Sequence, residues 1–122
     1  MLNKLDFDPR KLEVVVAPIS LHISSVGRIL KGSTQIGCQN ISPYDDGAFT
    51  GEISADQLSN LGVDWVIVGH SERRTLYGET NETVAKKVAK AHAKGLKTII
   101  CIGESLDERF AGRTNDVLRV QL

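Results

Sequence analysis

The chain lacks the features that mark several functional classes. Only two cysteines, Cys38 and Cys101, occur in 122 residues, each inside a β-like run (QIGCQ and IICIG) and neither in a Cys-x-x-Cys or Cys/His spacing. That excludes a redox dithiol and a zinc site, and both residues read as buried free thiols. No charge sign is in excess, since fifteen Lys+Arg stand against fifteen Asp+Glu. Nothing therefore draws the chain onto nucleic acid or an anionic membrane surface. The longest apolar runs, Val14–Ile19 and Thr98–Gly103, fall far short of the roughly 20 residues that span a bilayer. The N-terminal MLNKLDFDPRK has no apolar run of the secretory type, so a cytoplasmic protein is expected. The triplets Asn40-Ile41-Ser42 and Asn81-Glu82-Thr83 are then chance matches to a glycosylation acceptor. Nucleotide loops are missing as well. Gly27–Ser33 lacks a lysine before its serine, and no Gly-x-Gly-x-x-Gly occurs.

What is present suits one globular domain. Hydrophobic residues make up 41%, near the roughly 45–50% of ordinary globular proteins, which is enough for a core. Four β-branched runs recur at Glu13–Ala17, Gln35–Gln39, Trp65–Gly69 and Thr98–Gly103. Their near-continuous apolar character predicts strands buried on both faces, as in a parallel sheet. Helical patterns lie between them. Ser20 is positioned to cap a segment presenting Ile23, Val26 and Leu30, which stops at Gly32. Ser54-Ala-Asp-Gln57 is a capping box opening a helix that presents Leu58 and Leu61 and ends at Gly62. Thr80 precedes the clearest helix, whose stripe is Val84, Ala85, Val88, Ala89 and Ala91, with Lys86, Lys87, Lys90 and Lys94 on a solvated face and Gly95 as its stop. Ser105-Leu-Asp-Glu108 is a second capping box, and Asn115–Leu122 continues as a helix through Val117, Leu118 and Leu122.

This order is four consecutive βα units, an α/β fold with parallel strands and right-handed crossovers. Ligands in such folds gather at the carboxyl ends of the strands. Attention falls on Gly69-His70, where an apolar strand runs directly into the polar sequence HSERR. A helical turn starting at Ser71 would place backbone N–H groups beside the His70 ring. Such a turn disfavours a protonated imidazole, leaving a neutral donor for a carbonyl oxygen. From spacing alone a satisfied structural histidine competes well with this reading, with Glu72, Arg73 and Arg74 as surface ion pairs of small weight. The connection from Asn40 to Ile53 is long for a compact domain. Tyr44 and Phe49 in it either pack on their own domain or dock on another chain. A doubly wound receiver-like or flavodoxin-like sheet is a further alternative, although Ala17-Pro18-Ile19-Ser20 stands where the former carries an acidic pair.

Several segments together resemble one family. VIVGHSERR (Val66–Arg74) with Tyr77-Gly-Glu-Thr80, GAFTGEIS (Gly47–Ser54), Gln39-Asn40 and Cys101-Ile-Gly-Glu104 are similar to triosephosphate isomerase, from about Leu12 to the C-terminus. The resemblance implies part of a (βα)8 barrel, about four of the eight units, over residues 1–122, with 1–11 as a lead-in. It implies interconversion of dihydroxyacetone phosphate and glyceraldehyde 3-phosphate through an enediolate, without a cofactor or metal. His70 would be the catalytic electrophile, a role for which triosephosphate isomerase is itself the standard case. Ser71 and Glu72 would support the site. Gln39, Asn40, Phe49, Thr50, Gly51, Arg73 and Glu79 would lie at or near a homodimer contact made by the Asn40–Ile53 loop. The family's Asn-x-Lys strand, its glutamate base, its lid and its glycine-rich phosphate site have no match here. The chain thus corresponds to units two to five of a barrel of about 250 residues. Alone it is expected to be nearly inactive; the alternative is a non-catalytic half-barrel that acts only by associating with another chain.

Overall fold

The computed structural model describes residue 3 and residues 6–122. Its elements are β1 (Val15–Val16), a 3₁₀ turn (Ser20–His22), α1 (Ile23–Ile29), β2 (Gln35–Cys38), α2 (Ala55–Asn60), β3 (Trp65–Val68), α3 (Ser71–Tyr77), α4 (Asn81–Ala93), β4 (Lys97–Ile100), α5 (Leu106–Phe110) and α6 (Thr114–Gln121). The four strands form one sheet in the order β1-β2-β3-β4, every neighbouring pair parallel. Sequential order with right-handed crossovers puts the connecting helices on one side of the sheet, where α1, α2 and α4 share one core with it. A doubly wound sheet would instead reverse its order and carry helices on both faces. The flavodoxin-like alternative is therefore excluded, and the arrangement is an open arc of a barrel.

The registers Val15↔Gln35, Gly37↔Trp65 and Trp65↔Lys97 sort the side chains, which alternate along each strand. One face carries Ile36, Cys38, Val66 and Val68, buried in a single cluster with Ile23, Leu58, Val84 and Ala91 of α1, α2 and α4. The other face carries Val15, Gly37, Trp65, Ile67 and Ile99, only half-buried or exposed apart from Gly37. The expectation of strands buried on both faces thus holds only for the helix side of the two central strands, since Val16 and Thr98 are half-buried there and Ile100 is exposed. On the open face, at the amino ends of the strands, polar groups join the edges. Trp65 Nε1 donates to Gln35 Oε1 at 2.5 Å, Gln35 donates to Glu13 Oε1 at 3.3 Å, and Lys97 Nζ donates to Glu13 Oε1 at 2.7 Å. Lys97 also sits 4.9 Å above the Trp65 ring.

The helix ends follow local chemistry, with corrections. Both capping boxes form, and Thr80 caps α4 by accepting from Thr83 N–H. Ser20, however, is not a cap: it lies inside the 3₁₀ turn, and His22, without a side-chain bond, opens α1. Leu58 is fully buried but Leu61, the C-cap, is 51% exposed, and the chain turns out of the helix at Gly62 (φ +73°). In α4 the buried positions are Val84, Lys87 and Ala91, with Val88 packed against the core. Ala85 and Ala89 face outward. Cys38 is a buried free thiol as expected, whereas Cys101, at the end of the outermost strand, is only half-buried.

The two capping boxes separate burial from capping. Ser54 is 4% exposed and its hydroxyl also bonds Asp46, whereas Ser105 is exposed. Ser54→Ala is expected to cost about 1–2 kcal/mol, at the upper end for a lost cap, and Ser105→Ala about 0.5–1 kcal/mol. Urea titrations of the two variants would check that order.

Candidate active site

The end of β3 fixes His70. Gly69 takes a left-handed conformation (φ +71°), turning the chain so that His70 becomes the N-cap of α3. The backbone N–H of Glu72 donates to His70 Nδ1 at 3.3 Å, and the His70 carbonyl accepts from the N–H groups of Arg73 and Arg74. In a neutral ring only one nitrogen carries a proton. With Nδ1 accepting, Nε2 is the donor, so the turn expected after Gly69 forms and sets the tautomer. The Glu72 carboxylate is 3.6 Å from Nδ1 but 75% exposed, so its pull on the ring is weak in water.

His70 opens into a cleft of about 730 Å³ with Gln39, Asn40, Gly51, Glu72 and Arg73 on its walls. Gln39 Nε2 donates to the Ala17 carbonyl at 3.0 Å, tying the carboxyl ends of β1 and β2. Ser71 is exposed in the first turn of α3 and makes no side-chain hydrogen bond among the described residues. The Asn40–Ile53 connection divides in two. Its root packs on its own domain, with Ile41, Ser42 and Ser54 buried and Ser42 N–H bonded to the Ile53 carbonyl. Its tip stands out, with Tyr44 and Phe49 stacked at 4.5 Å yet 52% and 43% exposed, and with Thr50 and Gly51 exposed. Phe49 and Thr50 line a smaller cavity of about 360 Å³ with Arg73, Glu79 and Lys87.

Beneath the cleft is an ionic cluster. Lys87 is 2% exposed; its Nζ donates to Asn40 Oδ1 at 2.8 Å and to Glu79 Oε1. Arg73 Nε donates to the same Glu79 oxygen at 2.5 Å and lies 4.7 Å over the Tyr77 ring. Burial pushes the Glu79 carboxyl up, but the hydrogen bonds and charges of Lys87 and Arg73 outweigh it and hold the group below its usual value. Lys87 moves down, because burial, with repulsion from Arg73, exceeds what the Glu79 and Glu52 carboxylates return. Glu79 Oε2 is buried and has no partner among the described residues. Lys87 is therefore no member of a solvated face. Helical spacing marks only the angular position of a lysine; the carboxylate and amide that hold it arrive from other elements.

Arg74 is the second residue that sequence reasoning undervalued. Its Nε donates to the Gly69 carbonyl at 2.7 Å, Nη1 to Asn81 Oδ1 at 2.7 Å and Nη2 to the Cys101 carbonyl at 3.5 Å. A surface ion pair would show none of these. The polar run HSERR carries no local signal separating its two arginines.

A family model described as triosephosphate isomerase matches residues 1–122. The chain is 50% identical to the triosephosphate isomerase of Coprinopsis cinerea over 121 residues, 99% of this chain and 48% of that protein. It is 48% identical to that of Alkaliphilus oremlandii over 126 aligned positions, all of this chain and 50% of that protein. A protein of Stellaria longipes named as cytosolic triosephosphate isomerase is 53% identical over 109 residues, 89% of this chain and 42% of that protein.

The chain belongs to the triosephosphate isomerase family. It spans about half the length of the relatives it matches. Family membership accounts for the parallel strands in sequential order with helices on one side, since that is how consecutive units of a triosephosphate isomerase barrel are laid. The sheet is not closed. No helix of the described residues is long and apolar enough to cross a membrane.

Proposed function

We propose that these residues supply the electrophilic side of a triose-phosphate isomerase site in the cytoplasm. His70 Nε2 donates to the substrate carbonyl oxygen as negative charge develops in an enediolate-like transition state. A glutamate base and a phosphate-binding lysine from outside these residues complete the site. The observation that carries this reading is the Glu72 N–H bond to His70 Nδ1, which in a neutral ring makes Nε2 the donor. Glu72 makes that bond from the first turn of α3, and Ser71, exposed in the same turn, is with it a supporting residue of the site. The exposed tip at Phe49, Thr50 and Gly51, with Gln39, Asn40, Arg73 and Glu79 behind it, serves as the contact of a homodimer. No cofactor enters this chemistry.

General-base catalysis is worth about 10²–10⁴-fold. The 122-residue chain is accordingly expected to turn over glyceraldehyde 3-phosphate at least about 10²-fold more slowly than a full-length relative in a coupled assay. Turnover equal to that relative would refute the assignment of the base to other residues. A second reading, a non-catalytic half-barrel working through association, is favoured by the exposed apolar side chains of the outermost strand and last helices. Ile99, Ile100, Ile102, Phe110, Val120 and Leu122 are 38–86% exposed, and strand edges of this kind pair readily. The coupled assay separates the two, since residual turnover that is lost in His70→Gln would argue against a non-catalytic half-barrel, while light scattering reads the association that both invoke.

A further inference from the structure

We infer that Arg74 is a positioning residue for His70, holding the peptide that carries it. This rests on the reading of His70 as the electrophile. The Gly69 carbonyl and the His70 N–H belong to one planar unit. Fixing that oxygen therefore fixes the plane from which the His70 side chain departs. Gly69 is the least constrained residue available for such a position, at φ +71°, so its orientation must be imposed from outside. Arg74 imposes it. The guanidinium donates to the Gly69 carbonyl at 2.7 Å and, through its other nitrogens, to Asn81 Oδ1 at 2.7 Å and the Cys101 carbonyl at 3.5 Å.

These acceptors lie at the end of β3, the start of α4 and the residue after β4. One planar fork thus sets the carboxyl ends of two neighbouring strands against a helix. The glycine and the arginine are matched: a Cβ on residue 69 would stand 2.9 Å from Arg74 Nη2 and 3.0 Å from the Cys101 carbonyl oxygen. Space left by the missing side chain is the space the guanidinium occupies. Asn81 is itself anchored, its Nδ2 donating to the Val120 carbonyl of α6 at 3.2 Å. The last helix thereby bears on the same support. Lysine cannot reproduce the fork, since it presents one point charge where three acceptors are spread.

The test is imidazole ¹⁵N–¹H correlation NMR of the 122-residue chain and its Arg74→Gln and Arg74→Lys variants, with Leu58→Ala as a control. Leu58 is fully buried on α2, outside the His70 cleft, so its truncation lowers the melting temperature without touching the clamp. The parent spectrum tests the reading of His70 by itself, through a protonated Nε2 and an accepting Nδ1. The difference between parent and variants tests Arg74. In Arg74→Gln the two ring nitrogens are expected to lose that fixed assignment and move towards averaged positions, with a smaller displacement in Arg74→Lys and none in Leu58→Ala. Unchanged His70 signals in folded Arg74→Gln would overturn the proposal, as would an equal displacement in Leu58→Ala. If Arg74→Gln does not fold, Arg74→Lys decides: displaced signals support the clamp, and signals identical to the parent overturn it.

Discussion

Replacing Glu79 with leucine is expected to lower the stability of the chain by about 3–5 kcal/mol, because it leaves the Lys87 ammonium buried without its counter-ion. Lys87 is 2% exposed and would keep only the Asn40 amide oxygen as an acceptor, with the Arg73 charge nearby. For a domain of this size the loss corresponds to a fall in melting temperature on the order of 10–20 °C, a large part of an ordinary stability margin. Lys87→Met should cost less, since Arg73 still neutralises Glu79 from 2.5 Å. The Glu79→Leu/Lys87→Met pair should recover much of the single loss, because replacing both ions by packed apolar groups removes the uncompensated charge. A urea double-mutant cycle measures all three, and equal costs for the two single variants would show that charge burial does not set the energetics.

The same cluster fixes a dependence on acid. The folded-state value of Glu79 lies below the ordinary 4.5, so the folded protein binds that proton less readily than the unfolded chain does. Its contribution is fully present above the ordinary value and is lost as pH falls through the lowered one. Below about pH 4.5 the parent should lose stability more steeply than Glu79→Leu, which has no such carboxylate to protonate.

Gly69→Ala is the second large effect, expected at about 2–4 kcal/mol together with displacement of His70. A left-handed conformation costs a residue with a Cβ roughly 1–2 kcal/mol. At Gly69 the new methyl would also meet Arg74 Nη2 at 2.9 Å, the Cys101 carbonyl at 3.0 Å and Val84 Cγ1 at 3.1 Å. Two of these three neighbours are a backbone atom and a buried side chain, and neither can swing away. Gly78 provides the comparison. It has φ +66° but open space where its Cβ would lie, so Gly78→Ala should show the conformational cost of about 1 kcal/mol alone. Urea midpoints for the pair, with the His70 ring signals as a second readout, check the prediction. Equal destabilisation by the two substitutions would show that crowding at Gly69 contributes nothing.

The sequence by itself determined the elements whose causes are local. Four β-branched runs became four strands, Ser54, Thr80 and Ser105 became caps through bonds made within three residues, and the strand-to-helix step at Gly69-His70 placed the histidine at the mouth of the sheet. Such features depend on neighbours a few positions away, and the residue types report them directly. Tertiary structure alone decided the rest. Lys87 reads as one of four similar lysines until Asn40, 47 residues earlier, and Glu79 close about it. Arg74 reads as surface charge until the Gly69 and Cys101 carbonyls converge on it from two strands. The helix-side face of β2 and β3 is buried and the opposite face is open because sequential parallel order sends every crossover to one side. Burial of a charge is decided by which partners other elements deliver, and no periodicity along one helix encodes that.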